Sequence, residues 1–265
     1  MTPAPDLSVK MGDLNLASPV LLAAGTAGTL DEMGEVLDLQ DVGAVVTKSI
    51  TAEPRAGNET WRILESQVGM LNAIGLANPG VDAFCSNEVP RIEAMPTKVI
   101  ASIAGTSIDD YALVAGQFSK CAALLPALEL NVSCPNVHGG TEFGADPQAL
   151  TELVEAVRAR APEQLLIVKL SPITVGTPHS IVDIARAAIS AGAGALTIAN
   201  TIPAMEIDVE TCMPRLSNVT GGLSGPAVHP VALKLVHDVY RGVAREAGIP
   251  ILGVGGEQPW RSAAS

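Results

Sequence analysis

Two lysines stand where buried strands would end, in Val46-Thr47-Lys48-Ser49 and Val168-Lys169-Leu170-Ser171. An ammonium that closes a run of apolar residues either snorkels out to water or meets something anionic. Alone, each reads as a solvated strand end; two at matching positions point to a shared anionic ligand. A Schiff base with a carbonyl substrate is the other chemistry open to such a lysine, with Lys169 as its candidate. Four amides, Asn72, Asn131, Asn136 and Asn200, fall in segments of the same kind. Each offers two donors and an acceptor in a rigid plane, the mixture that a flat ligand with imide and carboxylate groups requires. Singly, each is an ordinary turn or cap residue. Cys134 lies three residues beyond Asn131 and directly before Pro135, outside any regular strand or helix, and is the candidate reactive thiol. Cys85, Cys121 and Cys212 read as small apolar fillers. No C-x-x-C pair and no histidine at ligand spacing accompanies the four cysteines, which argues against zinc, an iron–sulfur cluster on this chain and a disulfide framework. Two glycine groups, Gly221-Gly222-Leu223-Ser224-Gly225 and Gly255-Gly256, suit a loop that cradles phosphate through backbone N–H groups, although ordinary turns use glycine too.

The elements that must carry these residues alternate. Strands are expected at Val20–Ala23, Ala44–Lys48, Lys98–Ile103, Ala127–Val132, Leu165–Leu170, Ala195–Ala199 and Pro250–Val254. Helices are expected between them, one capped by Ser107 with Asp110, one opening at Asp146-Pro147, and others over Ser180–Ala191 and His229–Ala247. Such alternation predicts parallel βαβ units in a single α/β domain over residues 1–265. In a (β/α)8 barrel the chemistry sits at the C-terminal strand ends and in the loops after them, which is where the lysines, amides and glycines fall. The net charge of −12 would repel a phosphate backbone and argues against nucleic acid as a partner. No charge-free run has the length and flanks of a membrane span, and the N-terminus carries no secretory signal pattern, so a cytoplasmic protein is expected.

The segment Asn131-Val-Ser-Cys134-Pro-Asn136-Val-His-Gly-Gly-Thr-Glu-Phe-Gly144 resembles the active-site loop of class 1 dihydroorotate dehydrogenases, the 1B subgroup above all. The resemblance runs in family order through Thr47–Ser49, Met70–Leu76, Val168–Pro172, Asn200-Thr201 and Thr220–Pro226, covering about residues 7 to 256. It implies a (β/α)8 TIM barrel that holds FMN and oxidises (S)-dihydroorotate to orotate in pyrimidine synthesis. By that resemblance Cys134 is the base that takes the C5 proton while the C6 hydride passes to FMN. Lys48, Asn72, Ala73, Ile74, Gly75, Leu76, Asn131, Asn136, Asn200 and Thr201 would hold the substrate. Ala24, Lys48, Ser49, Ser102, Asn131, Lys169, Ala199, Gly225, Gly255 and Gly256 would hold FMN. The 1B form implies a heterotetramer with an electron-transfer subunit that carries FAD and a [2Fe–2S] cluster and passes electrons to NAD. No metal is expected on this chain.

This sequence departs from the family at Ser102, where Asn is common, and at Ala199, where Ile is common. The larger departure is the final stretch. Seven strands can be counted, and the residues after Gly256, ending in Gln-Pro-Trp-Arg-Ser-Ala-Ala-Ser, match neither an eighth strand nor a phosphate loop. The expectation is a barrel truncated before its eighth strand, with the first and seventh strands unpaired. Two alternatives stay open: an inactive remnant of the same fold, and a Schiff-base lyase using Lys169.

Overall fold

A computed structural model describes residues 6–133, 143–172 and 178–256. Its centre is a seven-stranded parallel sheet whose strands run in chain order: β1 (Leu21–Leu22), β2 (Ala44–Val46), β3 (Lys98–Ile103), β4 (Ala127–Asn131), β5 (Leu165–Lys169), β6 (Ala195–Ile198) and β7 (Ile251–Gly253). These are the seven expected strands, each ending within two residues of its expected boundary. β1 and β7 are the two ends of the sheet, so the edges expected to be unpaired are so among the described residues. Residues 257–265 lie outside them.

Strands that are apolar throughout are buried on both faces, as parallel sheets require, and the side chains sort by parity. Leu128, Leu130, Val168, Leu196 and Ile198 join the layer packed against helices, with Val114, Phe118, Leu150, Val154 and Ile184. The opposite parity, Ala44, Val46, Ile100, Ala127, Ile167 and Ala195, forms an inner core. That core is closed at its lower end by Met11, Leu14 and Leu16 of an N-terminal hairpin, Val9–Met11 with Leu14–Leu16. Carrying the inner parity two or four residues onward reaches Lys48, Ser102, Asn131, Lys169 and Ala199. Strand alternation therefore aims them all at the upper end of the inner face.

The helices begin where their caps predict. Ser107 accepts from Asp110 N at 3.2 Å and Asp110 accepts from Ser107 N at 3.1 Å, opening Ile108–Ser119. Asp146 accepts from Gln148 N and Ala149 N ahead of Pro147–Arg160, and Ser180 with Asp183 repeats the reciprocal box before Ile181–Ser190. The expected long helix over His229–Ala247 is His229–Val239 followed by a π-helical turn, Tyr240–Ala244, and a last short turn.

A four-stranded antiparallel sheet stands over the mouth, with Ile202–Ala204, Gly221–Ser224, Gly69–Asn72 and Ile63–Ser66 as successive neighbours. This corrects one expectation. Gly221 to Ser224 is a strand rather than a phosphate loop, and its glycines have a packing reason. A Cβ at Gly221 would strike the Asn72 carbonyl and one at Gly222 the Thr201 hydroxyl. Among the described residues no helix is long and apolar enough to cross a membrane.

Candidate functional site

A cavity of about 600 Å3 opens at the upper end of the parallel sheet, within the range of cofactor and substrate pockets. Its floor comes from the strand ends: Ala24, Lys48, Ser49, Asn131, Lys169 and Ala199. One flank carries Asn200 and Thr201, the antiparallel sheet contributes Asn72, and Ile74 and Leu76 follow it. Gly225, Gly255 and Gly256 close another side. Residues as far apart in sequence as Ala24 and Gly256 thus meet in one space.

Two expected residues, Ala73 and Gly75, belong to the same segment without lining the cavity. Ala73 packs with Leu71 and Leu216, and a Cβ at Gly75 would meet the Asn58 side chain at 2.7 Å. Ser102 is buried one layer below, joined to Ser49 through a hydroxyl contact of 2.9 Å. Cys134 and Asn136 lie outside the described residues, as does His138.

The polar floor is a connected network. Asn131 Nδ2 donates to Ser49 Oγ at 3.2 Å, and its Oδ1 accepts from Asn200 Nδ2 at 3.1 Å. Asn200 also donates to Ser133 Oγ at 3.0 Å, which contacts Ser171 Oγ at 2.9 Å. Asn200 Oδ1 accepts from Thr201 N, and Asn72 Nδ2 donates to the Gly222 carbonyl at 3.1 Å. The buried Tyr111 hydroxyl donates to the Asn131 carbonyl at 2.6 Å from behind. Each amide is thereby fixed in orientation before any ligand arrives, which lowers the ordering cost of binding.

The charges are not internally balanced. Lys169 is 6% exposed, Lys48 is half-buried, and neither takes part in any of the ion pairs among the described residues. A buried ammonium without a counter-ion is a costly feature, and an anionic or electron-rich ligand above it offsets that cost. With a flat array of fixed amides, apolar walls and backbone glycines beside it, the donor set fits a flavin mononucleotide together with a small carboxylate. Burial first, and the neighbouring Cys121 second, push the Cys85 thiol up, in keeping with its reading as an inert filler. Among the described residues no group of three or more His, Cys, Asp or Glu could hold a metal.

Sequence reasoning missed the apolar walls. Ile63 and Met70 of the antiparallel sheet, and Val228, Val231 and Leu235 around the helix His229–Val239, all line the cavity. It also missed Ser133 and Ser171. The helical spacing of Val228, Val231 and Leu235 was the available signal for one wall, whereas nothing local marks Ile63 or Met70 as facing a ligand.

The dihydroorotate dehydrogenase family model matches residues 6–260. The chain is 47% identical over 253 residues to the "Dihydroorotate dehydrogenase B (NAD(+)), catalytic subunit" of Trichlorobacter lovleyi, covering 95% of this chain and 80% of that one. Its identity to the proteins of the same name is 45% in Geobacter sulfurreducens, with 80% of that relative covered, and 46% in Bacillus pumilus, with 78% covered; both matches take in 95% of this chain. A solved dihydroorotate dehydrogenase from Eimeria tenella, in complex with ferulenol, superposes with a TM-score of 0.74 at 22% identity, covering 96% of this chain and 74% of that one. This structural likeness concerns the fold.

Proposed function

Because the chain belongs to the dihydroorotate dehydrogenase family, we propose that it is the catalytic, FMN-holding subunit of a B-type enzyme that oxidises (S)-dihydroorotate to orotate in pyrimidine synthesis. The observation that carries this reading is the pair of lysines without counter-ions, Lys48 and Lys169, set among fixed amides in one cavity at the strand ends. Ala24, Lys48, Ser49, Asn131, Lys169, Ala199, Gly225, Gly255 and Gly256 hold FMN, with Ser102 supporting Ser49 from below. Lys48, the 72–76 segment, Asn131, Asn136, Asn200 and Thr201 hold the substrate. FMN, when bound, supplies the acceptor for the hydride that leaves C6 with its electron pair.

The remaining steps belong to the chain. Asn131 and Asn200, locked to each other and to Ser49 and Ser133, present amide edges to the planar ring, and Lys48 meets its carboxylate. Cys134 takes the C5 proton. A thiol with an ordinary pKa of about 8.5 lies near enough to neutrality to serve as a general base. Lys169, part of the cavity floor, supplies positive potential where negative charge develops. Ile63, Met70 and Leu223 give the cavity an apolar wall beside the fixed amides. No dinucleotide fingerprint follows a strand in this sequence, which favours a partner subunit, carrying FAD and a [2Fe–2S] cluster, as the route by which electrons reach NAD.

The test is the flavin itself. The purified chain is expected to carry FMN in near-equal amount, with a visible absorbance that bleaches when dihydroorotate is added without air. A colourless chain that takes up no added FMN contradicts the reading.

A further inference from the structure

Glu129 is a buried acid that the reaction above leaves without a role. On β4 it shares the inner parity of Ala127 and Asn131, while Leu128 and Leu130 face the helices. It is 2% exposed, its Oε2 accepts from Thr197 Oγ1 at 2.8 Å, and its Oε1 has no partner among the described residues. Thr197 stands on β6, so the carboxyl crosses the inner face of β5 to reach it. The β5 residue in register with Thr197 is Lys169, which is also in register with Asn131 on β4. Glu129 and Lys169 are therefore diagonal neighbours on one face of adjacent strands. They form no ion pair, and it is Lys169 that lines the cavity above.

On the reading that FMN occupies this cavity, we propose that Glu129 is a positioning residue that sets the flavin's reduction potential: its negative charge, anchored by Thr197, offsets the field of Lys169 and Lys48. Hydride arrival adds negative charge at the cavity floor. Two unopposed lysines would stabilise that charge strongly and make the reduced flavin reluctant to pass its electrons on. A carboxylate one layer below moderates them. The layer is buried, so bulk salt screens this coupling little, and the low interior dielectric carries it across the intervening distance.

The experiment compares the flavin-loaded chain with its Glu129→Gln and Glu129→Asp variants by equilibrating each with set ratios of orotate to dihydroorotate. Gln keeps the shape and an acceptor for Thr197 but removes the charge. The equilibrium is expected to move roughly tenfold toward reduced flavin, which is about 30 mV upward for a two-electron couple. Asp keeps the charge and is expected to stay near wild type, whereas a purely structural role would move both variants alike. If Glu129→Gln does not fold, the paired change Glu129→Met with Thr197→Val removes the charge and its partner together, leaving no unmet polar group, and the same upward shift is expected. An unmoved potential in the flavin-loaded variant overturns this proposal alone. A wild-type chain that takes up no FMN overturns the flavin reading and this proposal with it.

Discussion

Replacing Lys169 with Met should move stability and flavin binding in opposite directions. The side chain is 6% exposed and has no ion-pair partner among the described residues. In the ligand-free chain its amino group gives up hydration with no direct ion pair, the Glu129 carboxyl acting on it only from a diagonal position, and a methionine of similar length fills the same space without that cost. Removing a buried charge that has no direct ion pair is worth about 1–3 kcal/mol, and at roughly 2–4 °C per kcal/mol for a chain of this size the flavin-free Tm should rise by several degrees. The loaded state loses a charge-assisted hydrogen bond, worth about 1.5–3 kcal/mol, so FMN affinity should fall roughly 10- to 150-fold. Thermal melts of the stripped protein and a titration of FMN fluorescence quenching give the two numbers independently. A lower flavin-free Tm together with an unchanged FMN affinity would refute the claim that this lysine is held in readiness for a ligand.

Cys134→Ser should retain FMN yet slow flavin reduction by dihydroorotate by orders of magnitude at neutral pH, since a hydroxyl is a far weaker base than a thiol; rapid-mixing absorbance reads it directly, and an undiminished rate removes Cys134 from the base role. Gly222→Ala would place a Cβ on the Thr201 side chain, so the neighbouring strand must shift: substrate KM should rise several-fold in steady-state assays and the overpacking should cost about 1–3 kcal/mol of stability. The chain without a partner should reduce an artificial dye with dihydroorotate but NAD only slowly, and brisk NAD reduction would count against an electron-transfer subunit. Ser107→Ala should cost about 1 kcal/mol through the lost helix cap, seen as a fall of about 2–4 °C in melting temperature. Its reciprocal partner gives an acid signature. Burial pushes the Asp110 carboxyl up, but hydrogen bonds from Thr106 and Ser107 outweigh it and hold Asp110 below its ordinary value. A depressed folded-state value means that this stabilisation is complete above the unfolded-chain value of roughly 3.9 and is lost as the pH falls through the lower folded value. Acid unfolding curves of wild type and Asp110→Asn should therefore converge below about pH 4.

The parallel sheet was legible because its strands are continuous apolar runs and its helices open on strong caps: Ser107 with Asp110, Asp146 with Pro147, Ser180. Their position at the C-terminal ends of those runs placed Lys48, Asn131 and Lys169 at the right end of the sheet, while the face they share follows from the packing of alternate residues. The antiparallel sheet was not legible. Gly69 to Asn72 and Gly221 to Ser224 have neither β-branched residues nor alternation, and they pair across about 150 positions of sequence, Leu71 with Leu223. Their glycines answer to backbone crowding between strands, a tertiary cause that resembles a phosphate loop when only neighbours along the chain are visible. Ala73 and Gly75 illustrate the same limit, since a binding segment read as a unit turns only alternate side chains toward the cavity. Glu129 could be seen in sequence as a lone acid within an apolar strand, but its reach to Thr197 depends on strand register.

The most direct measurement is an anaerobic single turnover that counts products. Flavin-loaded chain is mixed with dihydroorotate, flavin bleaching is followed by absorbance, and orotate is quantified after quenching. One orotate formed for each flavin bleached, with both absent in Cys134→Ser on the same timescale, is the predicted result. Bleaching without orotate, or orotate formed by a chain devoid of flavin, would contradict the assignment of this cavity to flavin-dependent dihydroorotate oxidation.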